Sequence, residues 1–469
     1  MGRIDLDRHW ALMEGNMPEL SLIYADFISE LSYDSLPQEV IDRAKWQILD
    51  LVGVSLAGYK LMEFPRLVVD YVARMGGTPE ATIIQIGRKF PAMNAALANG
   101  VCAHALDMDD GHRFAGLHPG AAIIPAAIAA AEFSGASTKT LITGVVVGYE
   151  IMIRIGMGII ASSLSRGFHT TGTIGPFGAA AATAKIIGLK YDEIVGALGL
   201  AGLQGAGLMQ VAHDSEGAKV KPLHPGKAAM AGLLSTLLAR DGVRGPSAIL
   251  EGEDGFLRAM ADEVKWDLLT RDLGQQFEIN NIYVKFHAAC RHTHAAIDAA
   301  LEAFRSSGSH IDAISRISVE TYPVALKICG TTHPATPSEG RFSIPFSVAL
   351  ALTKGNASAD KYSEENVKDA DIQNLAGKVQ LATSDKWVKL FPSRRGATVS
   401  ITTSSGKVIS AEVELARGEP ENPATWDDVY NKFRANASLL LPEDDVEKLG
   451  IAITNLEMVS LSQLIQSNR

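Results

Sequence analysis

Residues 104–119 read HALDMDDGHRFAGLHP, and they are the most informative stretch of the 469-residue chain. Small apolar residues typical of buried helix flank this stretch, at 94–103 and at 121–133. Unpaired charge inside a protein is costly or is removed by a change in protonation. Carboxylates and imidazoles in such surroundings therefore predict an acid/base site at the end of a helix. The alternative is a helix cap followed by a solvated loop, where Asp and His are common. The polar members are His104, Asp107, Asp109, Asp110, His112, Arg113 and His118.

The composition is that of an acidic globular protein. The formal net charge is −10 at pH 7, and 47% of the residues are hydrophobic. A chain of this length predicts two domains rather than one core. The acidic balance argues against nucleic acid and against an anionic membrane as partners. It leaves room for a small anionic substrate, because local clusters of charge decide that.

The cysteines and the N-terminus predict the compartment. Cys102, Cys290 and Cys329 are far apart and form neither a zinc-type pair nor a common iron–sulfur run. We therefore expect a reduced, cytoplasmic setting. No signal peptide is predicted, and residues 1–16 are interpreted as a loose leader. Apolar runs such as 120–131 are shorter than a membrane span, so a soluble protein is expected.

Up to about residue 275 the pattern predicts helices. One helix is predicted to begin at Ser35, which can cap it, with Pro37 in the first turn, and to end at Gly58. Another, at 94–106, delivers the acid/base stretch at its C-terminal end. Small residues along 175–188 are expected to let helices approach closely. Further helices are predicted at 119–132, 137–156, 191–209 and 226–239.

After about residue 280 the pattern changes to a smaller α+β unit. Apolar and polar residues alternate at 317–321 and at 379–383, as they do in half-buried strands. A hairpin is predicted around the turn 404–406, with strands at 398–403 and 407–415. Helices are predicted at 342–352, 363–375, 426–438 and 442–464, and the last two are expected to rejoin the first domain.

Two further clusters precede predicted helices. In GFHTTGT (167–173), His169 lies near a helix N-terminus, where anions are favoured; a simple helix cap is the alternative. In KVKPLHPGK (219–227), Lys219, Lys221 and His224 form a possible carboxylate-binding patch, although lysines in loops are more often solvated.

A fourth cluster, KFHAACRHTH (285–294), lies where the two domains join. His292 and His294 could suggest a metal, but no HExxH motif or second ligand pair is present. Phosphate-binding loops and the G-x-S-x-G elbow are absent as well. What remains is a cofactor-free set of Asp, His, Lys and Arg. Such a set suits proton abstraction next to a carboxylate, with cations stabilising the enolate and a His transferring the proton.

In this order, HALDMDDGH…HPG, GFHTTGTIGPFGAAAATAKIIGL, KPLHPGKAA and CRHTHAAIDA resemble the MmgE/PrpD family. The segments GYEIMIRIG at 148–156 and RFSIPFSVAL at 341–350 are similar too. The resemblance covers roughly residues 20–440, and the ordered set is more specific than any single motif. The family includes 2-methylcitrate dehydratases, cis-aconitate decarboxylases and iminodisuccinate epimerases.

The resemblance implies a mostly α fold with two domains. A large all-helical domain would be built from both chain ends, here 1–275 and 405–469, and a smaller α+β lid domain would comprise 276–404. It also implies a homodimer and no metal or organic cofactor. The family's site residues correspond to Asp107, His118, His169 and Lys221.

Two positions depart from the decarboxylase-like members of the family. Gly111 stands where those members carry a hydroxyl residue, and Cys290 stands where some of them carry a His. These departures weigh against decarboxylation and leave the family resemblance intact.

The sequence therefore predicts a cytoplasmic, homodimeric enzyme that acts on a small di- or tricarboxylate through an enolate-stabilised step. Dehydration is the preferred reaction, with epimerisation or decarboxylation as alternatives. A metallohydrolase and a non-enzymatic carboxylate-binding module are rival readings. Besides the four catalytic candidates, the expected substrate-binding residues are His104, Lys219, His224, Arg291 and His292.

Overall fold

The computed structural model describes residues 19–212, 215–308 and 310–459. The leader predicted at 1–16 lies outside the described residues. The helix predicted at 442–464 ends earlier, at Thr454, and residues 460–464 lie outside the described residues. In chain order, the α-helices are α1 (Leu20–Glu30), α2 (Gln38–Leu61), α3 (Glu63–Met75), α4 (Ala92–His104), α5 (Pro119–Ser134), α6 (Thr138–Ser165), α7 (Thr170–Ile187), α8 (Tyr191–Gly202), α9 (Ser215–Val220), α10 (Leu223–Arg240), α11 (Phe256–Met260), α12 (Asp267–Thr270), α13 (Arg291–Ser307), α14 (Pro323–Cys329), α15 (Pro337–Gly340), α16 (Ile344–Lys354), α17 (Glu364–Lys368), α18 (Ala370–Gly377), α19 (Asp385–Leu390), α20 (Trp426–Ala437) and α21 (Glu443–Thr454).

The strands are short and few, so the predicted mostly α fold is confirmed. Four of them form one sheet in the order β6-β5-β7-β8, in which only the β5–β6 pair is parallel. The other two pairs, β1–β2 and β3–β4, are antiparallel. The strands are β1 (Ala81–Ile83), β2 (Arg88–Phe90), β3 (Gly111–His112), β4 (Ile282–Tyr283), β5 (Ile314–Thr321), β6 (Val379–Thr383), β7 (Ala397–Thr403) and β8 (Val408–Val413).

The helical domain is packed around α7, which contacts α5, α6, α8 and α10. Small residues allow this close packing, as the sequence predicted. A Cβ added to Gly175 would lie 2.7 Å from the Cβ of Ala228, and one added to Gly178 would lie 3.0 Å from the carbonyl oxygen of Gly148. Larger side chains at these positions would push the helices apart.

Two hydrophobic clusters define the division of the chain. The larger takes buried residues from 20–284 and again from 424–456, so the C-terminal helices do pack on the first domain. The smaller takes most of its residues from 288–416. The boundary predicted at 404 falls inside the β7–β8 hairpin, whose second strand completes the sheet. We therefore propose that the small domain extends to about residue 416.

Several predicted helices differ from the structure in their bounds, and the one predicted at 137–156 continues to Ser165. Gly58 lies inside α2 instead of ending it, because an added Cβ there would overlap the carbonyl oxygen of Cys102; the glycine serves helix packing. The helix predicted at 191–209 ends at Gly202. The helix predicted at 363–375 is broken at Asp369, whose side chain caps α18.

Helix α6 is long and apolar enough to cross a membrane by length and composition alone. Within the protein, however, 83% of its most apolar window is buried. The core helix of a globular protein can be equally long, apolar and buried, so the composition of α6 is weak evidence for a membrane segment.

The fold brings several chain segments to one place between the domains. The loop that follows α4 leads through β3 to the start of α5, and β3 pairs with β4 at the entrance to the small domain. The N-termini of α7 and α10 lie beside this loop, since His118 and Thr171 are hydrogen-bonded and the rings of His169 and His224 are adjacent.

Candidate active site

Asp107 lies at the centre of the site in an unusual backbone conformation. Its φ is 49°, in the left-handed region that residues other than glycine seldom adopt, although Asp tolerates it better than most. Its N–H donates to the carbonyl oxygen of His104, 3.2 Å away. The turn directs the side chain toward two lysines from later segments.

Both lysines bind Asp107. The Nζ of Lys221 donates to Oδ1 at 2.9 Å, while the Nζ of Lys285 donates to the backbone oxygen at 2.7 Å and lies 3.5 Å from Oδ2. All three residues are buried. Burial by itself raises the pKa of the Asp107 carboxyl, but Lys221 and Lys285 outweigh it and hold that pKa well below its usual range. The carboxylate therefore stays charged at neutral pH.

A second buried pair joins His104 and Asp109. The Nδ1 of His104 lies 2.8 Å from Oδ2 of Asp109. Burial raises the pKa of the Asp109 carboxyl, yet His104 and His118 outweigh burial and bring it below its usual value. Nε2 of His104 and Oδ1 of Asp109 are buried and have no hydrogen-bond partner among the described residues. Such atoms are costly to leave unpaired, which points to a ligand or water at this place.

His118 is held in one tautomer. It caps the N-terminus of α5, and its Nδ1 lies 2.6 Å from the carbonyl oxygen of Asp110. A carbonyl oxygen only accepts, so Nδ1 carries the hydrogen and Nε2 of the neutral ring is free to accept a proton. Burial lowers the pKa of His118 to about 3, although Asp109 opposes this. The ring is therefore neutral at pH 7 and can act as a base.

The carboxyl of Asp110 fixes the backbone that orients His118. It accepts hydrogen bonds from the Tyr149 hydroxyl at 2.6 Å and from the Gly120 N–H at 3.0 Å. Burial raises the pKa of Asp110 to about 7. Asp110 acts on the site through His118, as a positioning residue.

His169 and His224 form an imidazole pair. His169 caps α7 and His224 lies in the first turn of α10, and their Nδ1 atoms are 2.8 Å apart. Burial lowers the pKa of His169 well below its usual value and that of His224 to about 4. The ring of His169 is also 6.2 Å from that of His104, which in turn lies 4.9 Å from that of His118. The four imidazoles therefore form a row in space, in the order His118, His104, His169 and His224.

A small cleft opens beside these groups, between the two domains. Arg341 contributes to it from the small domain, with Nη1 donating to the carbonyl oxygen of Ala288 at 2.7 Å. Burial lowers the pKa of Arg341 to about 10, so it remains a cation at neutral pH. The lining residues are His104, Ala105, Asp107, Ala218, Lys221, Pro222, Ser338, Arg341 and Phe342.

The structure thus brings together Asp107, His118, His169 and Lys221, along with His104 and His224. Lys219 is half-buried in α9, and its substrate-binding role stays a prediction.

Arg291 and His292 are engaged elsewhere. Arg291 donates to Oε1 of Glu419 from Nε at 3.0 Å and from Nη2 at 2.9 Å, both side chains being buried. Nδ1 of His292 lies 2.6 Å from the hydroxyl of Tyr322. Their substrate-binding role stays a prediction, and Arg291 would have to leave Glu419 to fulfil it.

Sequence reasoning did not single out Lys285 or Arg341. Lys285 is the first residue of the 285–294 cluster, whose histidines could suggest a metal, and Arg341 is the first residue of the RFSIPFSVAL segment. In both segments a cation stands directly before apolar residues, and this pattern could have indicated a buried charged group. That Lys285 belongs to the site, however, depends on its contact with Asp107, which is 178 residues away along the chain.

A metal could be held by His104, Asp109 and His118, whose ligand atoms lie within 4.8 Å of one another. In the structure each of these side chains uses one atom in a hydrogen bond, His104 with Asp109 and His118 with the Asp110 backbone, whereas Nε2 of His104 and Oδ1 of Asp109 have no partner among the described residues. The expectation of a metal-free site stays a prediction.

Comparison with known proteins identifies the family. The MmgE/PrpD N-terminal domain model matches residues 23–269, and the MmgE/PrpD C-terminal domain model matches residues 287–458. The chain belongs to the MmgE/PrpD family, which confirms the resemblance found in its motifs.

Relatives of known name cover almost the whole chain. The cis-aconitate decarboxylase of Aspergillus terreus is 27% identical over 93% of this chain and 93% of its own length. The cis-aconitate decarboxylase of Mus musculus is 29% identical, covering 92% and 90% respectively. The 2-methylcitrate dehydratase of Salmonella typhimurium is 24% identical, covering 92% and 93%. By their names these relatives are lyases that act on small carboxylates.

Proposed function

We propose that this protein is a lyase that acts on a small di- or tricarboxylate through a carbanion stabilised beside a carboxylate. The observation that carries the proposal is the convergence of two buried lysines, Lys221 and Lys285, on Asp107 next to neutral imidazoles. Among the residues that line the cleft, the cations Lys221 and Arg341 outnumber the single carboxylate, Asp107. A buried surplus of positive charge favours an anionic ligand.

Each group has a chemical role in this proposal. The ammonium groups of Lys221 and Lys285 hold a substrate carboxylate and stabilise the charge that develops on the adjacent carbon, an effect that is strong in a buried site. Nε2 of His118, left free by the Asp110 hydrogen bond, exchanges a proton with the substrate. His169 serves as the second proton-transfer group, and Asp107 orients the two lysines.

Two reactions of this class are candidates. Decarboxylation is favoured by the comparisons, since relatives named cis-aconitate decarboxylase are 27–29% identical and those named 2-methylcitrate dehydratase 23–24%. Dehydration is favoured by Gly111. An added Cβ at Gly111 would overlap the hydroxyl of Tyr283, so the hydroxyl residue expected of decarboxylase-like members does not fit here.

The test is a panel of di- and tricarboxylates incubated with the enzyme and followed by mass spectrometry. Loss of CO₂ identifies decarboxylation and loss of water identifies dehydration, whereas an inverted centre at unchanged mass identifies epimerisation. We expect turnover of at least one polycarboxylate, abolished in Lys221→Met. Folded wild-type protein that turns over none of them, or Lys221→Met that keeps full activity, would contradict the proposal.

A further inference from the structure

The imidazoles of the site run from its interior toward its edge. His104 is 2% exposed and His169 is 6% exposed, whereas His224 is only partly buried. The contact between His169 and His224 is direct, with 2.8 Å between the Nδ1 atoms and 4.9 Å between the ring centroids. A hydrogen-bonded pair that spans this gradient of burial leads from the proposed proton-transfer group, His169, toward the partly exposed edge of the site.

We propose that His224 is a proton relay between His169 and the solvent, a role that rests on the proposed function of the site. The sequence suggested that His224 binds substrate. The hydrogen bond to His169 instead occupies the nitrogen of His224 that faces the interior.

The geometry fixes which atoms take part. Because one hydrogen is shared between the two Nδ1 atoms, one ring donates it and the other accepts it. When His169 takes a proton on Nε2, it passes the hydrogen on its Nδ1 to Nδ1 of His224, which releases its own Nε2 hydrogen to water. One proton has then left the site and both rings are neutral again. The reverse sequence brings one proton in, as protonation of a carbanion after loss of CO₂ requires.

The surroundings favour such a neutral relay. The charged and titratable groups that face His224 are His169 from α7, His104 from α4, Lys221 before α10 and Lys227 on α10. Burial lowers the pKa of His224 to about 4, with His104 and the two lysines adding to the effect, so a lasting imidazolium is disfavoured. Concerted transfer through two neutral rings avoids that charge.

A relay differs measurably from a substrate-binding or a structural role. Loss of a relay slows proton exchange with solvent, which lowers kcat and leaves KM nearly unchanged, and small buffers can replace it. Loss of a binding residue raises KM, and loss of a structural residue is not repaired by a buffer.

The first experiment compares wild type, His224→Ala and the matched control His333→Gln, which replaces an exposed histidine of the small domain. On the substrate found in the polycarboxylate panel, we expect His224→Ala to lower kcat about tenfold or more in weakly buffered solution. Added imidazole should restore kcat in a concentration-dependent way, and His333→Gln should match wild type. Unchanged kcat, or a loss that imidazole does not restore, would overturn the relay.

The second experiment needs no turnover and therefore separates the relay from the proposed function. ¹⁵N NMR of histidine-labelled wild type at pH 7 should show one Nδ1 of the pair protonated and the other bare, with both rings neutral. In His224→Gln the shared-proton signal should disappear. A charged His224, or hydrogens on both Nδ1 atoms, would refute the relay even if no substrate has been found.

Discussion

At the scale of single residues, Asp107 is the point at which the two domains hold each other. It takes Lys221 from the helical domain and Lys285 from the segment that enters the small domain. A buried ion pair adds little net stability, but removing one partner leaves an unpaired charge, which costs about 3–5 kcal/mol. Substitutions here are therefore expected to affect both binding and stability.

Lys285→Met should lower kcat/KM by about a hundredfold or more, since a substrate carboxylate would lose one of its cations in a buried site. The measurement is steady-state kinetics on the identified substrate, with folding checked by circular dichroism. Lys386→Met is the control, because Lys386 is an exposed lysine of the same domain paired with Glu412 and Glu414. A folded Lys285→Met enzyme with near wild-type kcat/KM would remove Lys285 from the site.

His118→Ala and His169→Ala should each lower kcat by at least about a hundredfold, within the range for loss of a general acid or base. Both rings are neutral at pH 7 because burial lowers the pKa of His118 to about 3 and that of His169 well below its usual value. Folding should survive in both variants. An enzyme that keeps most of its kcat after either substitution would show that the assigned proton transfer is wrong.

The residue types of the site could be predicted from the sequence, but some of the ion pairs and hydrogen bonds between them could not. Asp107, His118, His169 and Lys221 stand in recognisable motifs, and the structure places them together. Arg291 also stands in such a motif, but its guanidinium is paired with the carboxylate of Glu419, 128 residues later in the chain. Partners this far apart in the chain leave no local pattern.

At the scale of elements, α2 shows how packing overrides a local signal. Glycine commonly ends helices, and Gly58 was predicted to do so. In the structure α2 continues to Leu61 because Gly58 lies against the backbone of α4 at Cys102. The start of the helix depends on local residues, and there the prediction is close: the predicted cap is Ser35, and the observed N-cap residue is Pro37, two residues later.

Gly58→Ala should destabilise the protein by about 1–3 kcal/mol, the usual cost of forcing extra atoms into a packed core. The measurement is urea unfolding of the two proteins. Gly377→Ala is the matched control, since Gly377 closes α18 and the nearest atom to an added Cβ is 3.8 Å away. If Gly58→Ala is as stable as the control, the close approach of α2 and α4 is not a constraint.

At the scale of the whole molecule, the sequence indicated two units but not their edges. The β7–β8 hairpin extends the small domain past the predicted boundary. The parallel β5–β6 pair joins strands that are separated along the chain by five helices, α14 to α18. The alternation of apolar and polar residues predicts that a segment is a strand, but it does not predict which distant strand it pairs with. The homodimer stays a prediction that light scattering can measure.

Global stability should fall as the pH is lowered from 8 to 5, in part through His292. Burial lowers the pKa of His292 to about 3, so the unfolded chain binds a proton near pH 6.5 that the folded protein does not. Stability from this residue is therefore present above pH 6.5 and is lost as the pH falls toward 3. Wild type should lose about 1–2 kcal/mol more than His292→Gln between pH 8 and 5. His333→Gln is the control, and equal losses in wild type and His292→Gln would show that His292 is not buried in its neutral form.

The central claim is that a carbanion forms beside a substrate carboxylate held by Lys221 and Lys285, the two lysines that Asp107 orients. Incubation with substrate in D₂O, followed by NMR and mass spectrometry of substrate and product, tests it most directly. We expect deuterium on a carbon alpha to a carboxylate, and a sharp loss of that label in Lys221→Met. If neither solvent deuterium nor the substrate's own deuterium is transferred to that carbon during turnover, the carbanion mechanism is contradicted.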